Sequence, residues 1–259
     1  MNLLLRLLLH LLRHLAPLAA VAIGAGIGAA ADARAVEGTA GGTAGAMPNA
    51  DWMSYRDAYR TMIRFEKYGK PKQLIQSHFR VVPKEEGASL DGVRLSLASP
   101  SGSLNLLLDG AGRAVFPFLK SAFDDNARLQ LNRSGNRYTM QQAISIIPRA
   151  DGIYEAAELH AACEQALAFL RDIGRPGMRD KKCVGVRFAY PRQVEDPALS
   201  VRGGDPGHAV LPVEYAPAFA GDAGPVFKTV TYRFKPRTDK LQEQVHAQQR
   251  PLAITAEFE

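Results

Sequence analysis

The sequence predicts an α+β protein of antiparallel sheets packed by helices. Three observations carry that expectation: the hydrophobic period switches from helical to alternating and back, glycine-centred turns separate the alternating runs, and the order helix then strands occurs twice along the 259 residues. The recurrence suggests two copies of a helix-plus-meander unit, over residues 49–150 and 151–259 and packed together. A short echo points the same way, Gly92-Val-Arg-Leu-Ser-Leu-Ala-Ser-Pro100 against Gly185-Val-Arg-Phe-Ala-Tyr-Pro191.

Before the first unit, Arg6 and Arg13 lie among leucines, Leu15 to Ala31 carries no charge, and Ala31-Asp32-Ala33 supplies an A-x-A cleavage site. Residues 1–33 therefore read as a secretory signal peptide, and residues 34–48, rich in glycine, alanine and threonine, as a flexible linker. The apolar stretch is short and broken by Gly24, Gly26 and Gly28, which disfavours a retained membrane anchor. A periplasmic or secreted protein with no transmembrane segment after cleavage is expected.

The first unit opens on a helix that Asn49 or Asp51 can cap and that runs to about Lys67, with Trp52, Tyr55, Tyr59, Met62 and Ile63 at helical spacing. Strand runs follow at Leu74 to Val82, Val93 to Leu97, Leu104 to Leu108, Ala114 to Leu119, Leu129 to Leu131 and Tyr138 to Ile147. Asp109-Gly-Ala-Gly112 and Ser134-Gly-Asn136 supply the turns between them.

The second unit opens on a helix that Asp151 can cap and Gly174 can end, with Ile153, Leu159, Cys163, Ala166, Leu167 and Leu170 on its apolar face. Strands are expected at Cys183 to Tyr190, Val210 to Tyr215, Val226 to Lys235 and Leu252 to Phe258, with a short polar helix over residues 238–248. Cys163 and Cys183 are the two cysteines of the chain, and in an oxidising compartment they form one disulfide.

The net charge of +6 is concentrated in residues 171–192 and 228–240. A strand over Val226 to Lys235 lifts Thr229, Thr231, Arg233 and Lys235 onto one face, with Arg237 after them. Arg233, Lys235 and Arg237 are the candidate anion-binding residues, and in the expected compartment their partners are anionic envelope components: lipid headgroups, lipopolysaccharide or cell wall. The compartment argues against nucleic acid.

Catalytic signatures are missing. The sequence has no H-E-x-x-H, C-x-x-C, G-x-S-x-G, S-x-x-K or P-loop pattern, and it implies no cofactor or metal. His78 falls in a strand run and His160 at the edge of a helix stripe, both structural positions; His246 falls on the polar helix. The expected function is a non-enzymatic binding or envelope-associated module. Two alternatives stand beside it: a hydrolase of an unfamiliar class using Asp124 or Asp125 with His208, and a structural subunit of an envelope assembly.

Overall fold

A computed structural model describes residues 50–203, 208–235 and 242–259, without the side chains of Ala50 and His208. The expected signal peptide, the linker and Arg237 lie outside the described residues.

Both long helices begin directly after a short strand. β1 (Ala50–Ser54) runs into α1 (Tyr55–Glu66), and β8 (Ile153–Glu155) runs into α3 (Ala156–Asp172). The expected caps Asp51 and Asp151 are therefore not used. Tertiary pairing accounts for this: β1 is held by β6 (Arg128–Leu131), where Asp51 accepts hydrogen bonds from Arg128 and Gln130, and β8 is held by β14 (Gln244–Ala247). The first helical N–H is then satisfied by a backbone carbonyl rather than a side chain, Tyr55 by Ala127 and Ala156 by Glu243, each at 2.9 Å.

α1 buries Tyr55, Ala58, Met62 and Phe65 at three- and four-residue spacing and leaves its charged residues outside. α3 buries Ala156, Leu159, Ala162, Cys163, Ala166, Leu167 and Phe169. Gly174 ends it as expected: its φ of +70° is open to glycine at little cost, and it lets the Arg175 N–H return to the Leu170 carbonyl at 2.9 Å.

The remaining strands are β2 (Ile75–Pro83), β3 (Leu95–Ser99), β4 (Gly102–Leu106), β5 (Arg113–Ala114), β7 (Tyr138–Ile146), β9 (Cys183–Tyr190), β10 (Leu199–Arg202), β11 (His208–Val210), β12 (Val213–Pro217), β13 (Val226–Arg233) and β15 (Ala253–Phe258). Among the described residues they make four antiparallel sheets, ordered β1-β6-β3-β4, β5-β2-β7, β12-β13-β9-β15 and β11-β10-β14-β8. A five-residue helix, α2 (Lys120–Asp124), packs against α1.

α1 packs on β2 and β7; α3 packs on β9, β15, β7 and β2. One buried cluster accordingly draws on both parts of the chain, with Phe65, Tyr68, Ile75 and Ile146 meeting Leu159, Phe169, Phe188 and Tyr232. A second gathers around Tyr55, Phe79, Phe116 and Leu129. No helix among the described residues is long and apolar enough to cross a membrane.

Two expectations are corrected. Residues 114–119 are not a strand beyond Ala114, and residues 244–247, expected within a polar helix, form strand β14, with His246 paired to β10 and β8. The echoing runs fall on β3 and β9, each second from the edge of its own sheet.

Candidate binding cleft

The most distinctive site lies along β2. Its backbone polarity follows from two hydrogen bonds: the Ile147 N–H reaches the Leu74 carbonyl at 3.0 Å, and the Val81 N–H reaches the Gly112 carbonyl at 2.9 Å. Even-numbered residues of β2 therefore bond toward β7, and odd-numbered residues point to the opposite edge. On that edge β5 pairs only with Phe79 and Arg80. Ile75 turns its N–H back to the Lys72 carbonyl at 3.2 Å. The N–H and C=O of Ser77 have no backbone partner among the described residues.

The edge is open because the chain after β5 is pulled away from it. Phe116 inserts between Tyr55 and Phe79, with ring centroids 5.3 and 5.5 Å away. Pro117 has no N–H to offer a neighbouring strand. Its carbonyl accepts from the Tyr55 hydroxyl, which in turn accepts the Leu119 N–H at 2.8 Å. Tyr55, fully buried, thus pegs the Pro117–Leu119 segment to the helix layer.

The result is a cleft of about 890 Å3 between β2, α1 and residues 107–118. Leu107, Val115, Phe118 and Ile147 stand on it with large exposed surfaces, Leu107 and Val115 at 88% and 89%. Exposed apolar side chains are thereby concentrated at one opening. On its α1 side the cleft meets Met62, Glu66 and Phe116, and on the other face of the sheet Gln76, His78 and Arg250.

The polar wall is braced from behind. Arg113 donates from Nε to Asp109 Oδ2 at 2.6 Å and from Nη2 to the Leu252 carbonyl at 2.6 Å. Asp109 Oδ1 accepts the N–H groups of Ala111 and Arg113 at 2.9 and 3.0 Å, which closes the turn the sequence anticipated. Gly112 in that turn has φ +74°, and a Cβ there would stand 2.2 Å from the Val81 carbonyl oxygen, so glycine is required.

His78 Nε2 lies 2.7 Å from Ser145 Oγ, which also accepts from Gln76 Nε2 at 3.2 Å. A hydroxyl carries one proton and two acceptor lone pairs, so Ser145 Oγ holds the Gln76 amide and still pairs with a neutral imidazole. Burial first, then the nearby Arg113 and Arg80 guanidiniums, push the His78 pKa down to about 4 against the opposing pull of Asp109. Ser145 is buried beneath the sheet surface and is not presented to the cleft as a nucleophile. The arrangement offers hydrogen bonding and shape rather than a hydrolytic dyad.

The residues singled out from sequence lie elsewhere. Arg233 pairs with Glu259 at 3.2 Å, and Lys235 with Glu243 at 2.6 Å. Burial alone would raise the Glu243 pKa, but hydrogen bonds from Lys235 and from the Tyr232 hydroxyl outweigh it and hold the carboxyl below its usual range. Asp124 ends α2 in an ion pair with Lys120, and Asp125 caps the same helix. His208 is placed by its backbone at the edge strand β11 of a different sheet. Cys163 and Cys183 stand at disulfide distance, with Cα atoms 6.0 Å apart, tying α3 to the start of β9. Among the described residues no group of His, Cys, Asp and Glu side chains is placed to hold a metal ion.

Sequence reasoning missed the cleft. The signal available to it was Phe116-Pro117-Phe118, which breaks the alternation of a strand with proline and sets aromatic residues on both sides of it. Compared with known protein families, curated proteins and solved structures, the chain matches none.

Proposed function

We propose that this is an exported, non-enzymatic binding module whose cleft takes an extended peptide segment as an additional strand on β2. The observation that carries the reading is the N–H and C=O of Ser77, which have no backbone partner among the described residues, at the opening of an apolar cleft. An added strand satisfies those backbone groups and covers Val115, Phe118 and Leu107, the combination by which sheet edges recognise peptides.

Residues 49–150 and 151–259 are, in this reading, two copies of one unit. Two correspondences support it. The sheet order β1-β6-β3-β4 matches β8-β14-β10-β11 strand for strand, and β5-β2-β7 matches β13-β9-β15. The first N–H of each long helix bonds to the carbonyl just before the matching strand, β6 or β14. On this alignment β13 fills in the second copy the edge that β5 leaves empty in the first.

Binding of anionic envelope material through Arg233, Lys235 and Arg237 has less support, because Glu259 and Glu243 already engage two of the three cations. The hydrolase alternative has less still, since the described contacts of Asp124 are with Lys120 and Arg56 on the α1–α2 side.

The test selects binders from a displayed library of short unstructured peptides and measures their affinity for two variants. Ser77→Pro removes the outward N–H without touching the ladder to β7, and should weaken binding about tenfold or more, on the order of one or two backbone hydrogen bonds. Ser77→Ala keeps the N–H and should bind as the parent does. Peptides whose affinity is equal in all three proteins would rule out strand addition.

A further inference from the structure

Next to the large cleft, and sharing Ile147 and Pro148 with it, is a second and more enclosed cavity of about 270 Å3 under the N-terminal half of α3. We propose that it is an anchor pocket for one uncharged aromatic side chain of the bound peptide, an inference that rests on the strand-addition reading above for the peptide and on the cavity's own chemistry for the side chain.

Its walls are Leu74, Ile146, Leu159, Ala162 and the ring of Tyr154. A cavity of about 150 Å3 lined by aliphatic and aromatic side chains stays dry and takes benzene, so this one has room for a substituted ring. Apart from Gln73, the polar side chains at its rim engage one another or their neighbours. Arg149 holds both oxygens of Asp151 at 3.1 and 2.9 Å and reaches Glu158 at 3.3 Å, while the Tyr154 hydroxyl accepts the Arg149 N–H at 3.2 Å. A charged ligand would have to displace these pairs, whereas a neutral ring disturbs none of them.

The pocket also adjoins the cleft. Leu74 directly precedes β2, and Ile147 and Pro148 line both cavities. A segment that leaves its paired stretch beside Ser77 and crosses Ile147 and Pro148 arrives at this rim. The occupant of the cleft is therefore an extended segment with an aromatic residue beyond its paired stretch.

Toluene, the phenylalanine side chain freed of its backbone, is the probe. Titrated into the folded protein, it should shift the methyl resonances of Ala162, Leu159 and Ile146 with millimolar or tighter affinity. Ala162→Leu, which puts three further carbons into the cavity, should weaken toluene binding at least tenfold; should leucine prove too large for folding, Ala162→Val should weaken it about threefold. Ser77→Pro should leave toluene binding unchanged. Absence of methyl shifts, or toluene binding indifferent to Ala162 substitution, overturns the anchor pocket. Peptides that still require the Ser77 N–H in that case would show the anchor alone to be wrong.

Discussion

The edges of β2 and β9 carry the difference between the two parts of this molecule. β9 is flanked along its length: β13 pairs with it from Gly185 to Tyr190, the Phe234 N–H extends the ladder to Val184, and β15 covers the other side. Among the described residues β2 has a full partner only in β7, and its other edge keeps the pairing of Phe79 and Arg80 with β5 and the Val81 bond to Gly112. One side chain goes far to explain it. The first residue of α1 is Tyr55, whose hydroxyl holds Pro117 and Leu119 away from β2; the first residue of α3 is Ala156, which has no side-chain donor or acceptor with which to hold β13. An open edge thus comes from a neighbour that anchors the next segment elsewhere, not from a weaker strand.

The sharpest test of this contrast places proline in both edges. Even-numbered residues of β13 face β9, as the Phe234 to Val184 bond shows, so Val230→Pro deletes a buried ladder bond and should cost about 3 kcal/mol or more. Ser77→Pro, with its N–H facing solvent, should cost about 1 kcal/mol, mainly the lost Gln142 hydrogen bond to Ser77 Oγ. Denaturant unfolding of the two variants measures the difference, and equal losses would mean that the β2 edge is paired after all.

Removing the Cys163–Cys183 link should be nearly as costly. Its loop spans 20 residues, so the double serine variant should lose about 3 kcal/mol if chain entropy governs. The affected elements are α3 and β9, and hydrogen exchange should quicken there before it does at α1 and β2. A uniform increase would show that both parts unfold as one unit.

His78 makes the β2 region sensitive to acid above the carboxylate range. Its pKa is pushed down from the ordinary 6.5 to about 4, so between these pH values the unfolded chain binds the additional proton and stability falls as the pH falls. The loss should approach about 3 kcal/mol by pH 4 and stop growing below it. His78→Gln should remove that slope, which thermal unfolding across this range would reveal; an unchanged slope assigns the acid sensitivity to other groups.

The smallest effect is the most specific. Tyr55→Phe deletes two hydrogen bonds to the pegged segment and should cost about 1–2 kcal/mol, with the Ser77 amide gaining protection as residues 115–119 settle toward β2. An unchanged exchange rate at Ser77 would assign the open edge to Phe116 and Pro117 rather than to the hydroxyl.

Much of this architecture was legible in residue order. The helical spacing of Tyr55 and Met62, the stop at Gly174, the turn at Asp109 to Gly112 and the alternation through β9, β13 and β15 are local properties that propensity and burial pattern impose on any chain carrying them. Cys163 and Cys183 could be paired because no other cysteine competes. The starts of the helices were misread because Asp51 and Asp151 do resemble caps locally, and only the distant partners β6 and β14 draw those residues into strands.

The cleft could not be read in the same way. The sequence by itself determined which segments alternate and which coil, since period and turn chemistry act over a few neighbouring residues. The tertiary structure decided that Tyr55 reaches Pro117 across 62 positions of chain, and that Ser77 is left facing an empty edge. A backbone hydrogen bond that is not made leaves no mark on residue order, because its absence depends on where a remote segment comes to rest.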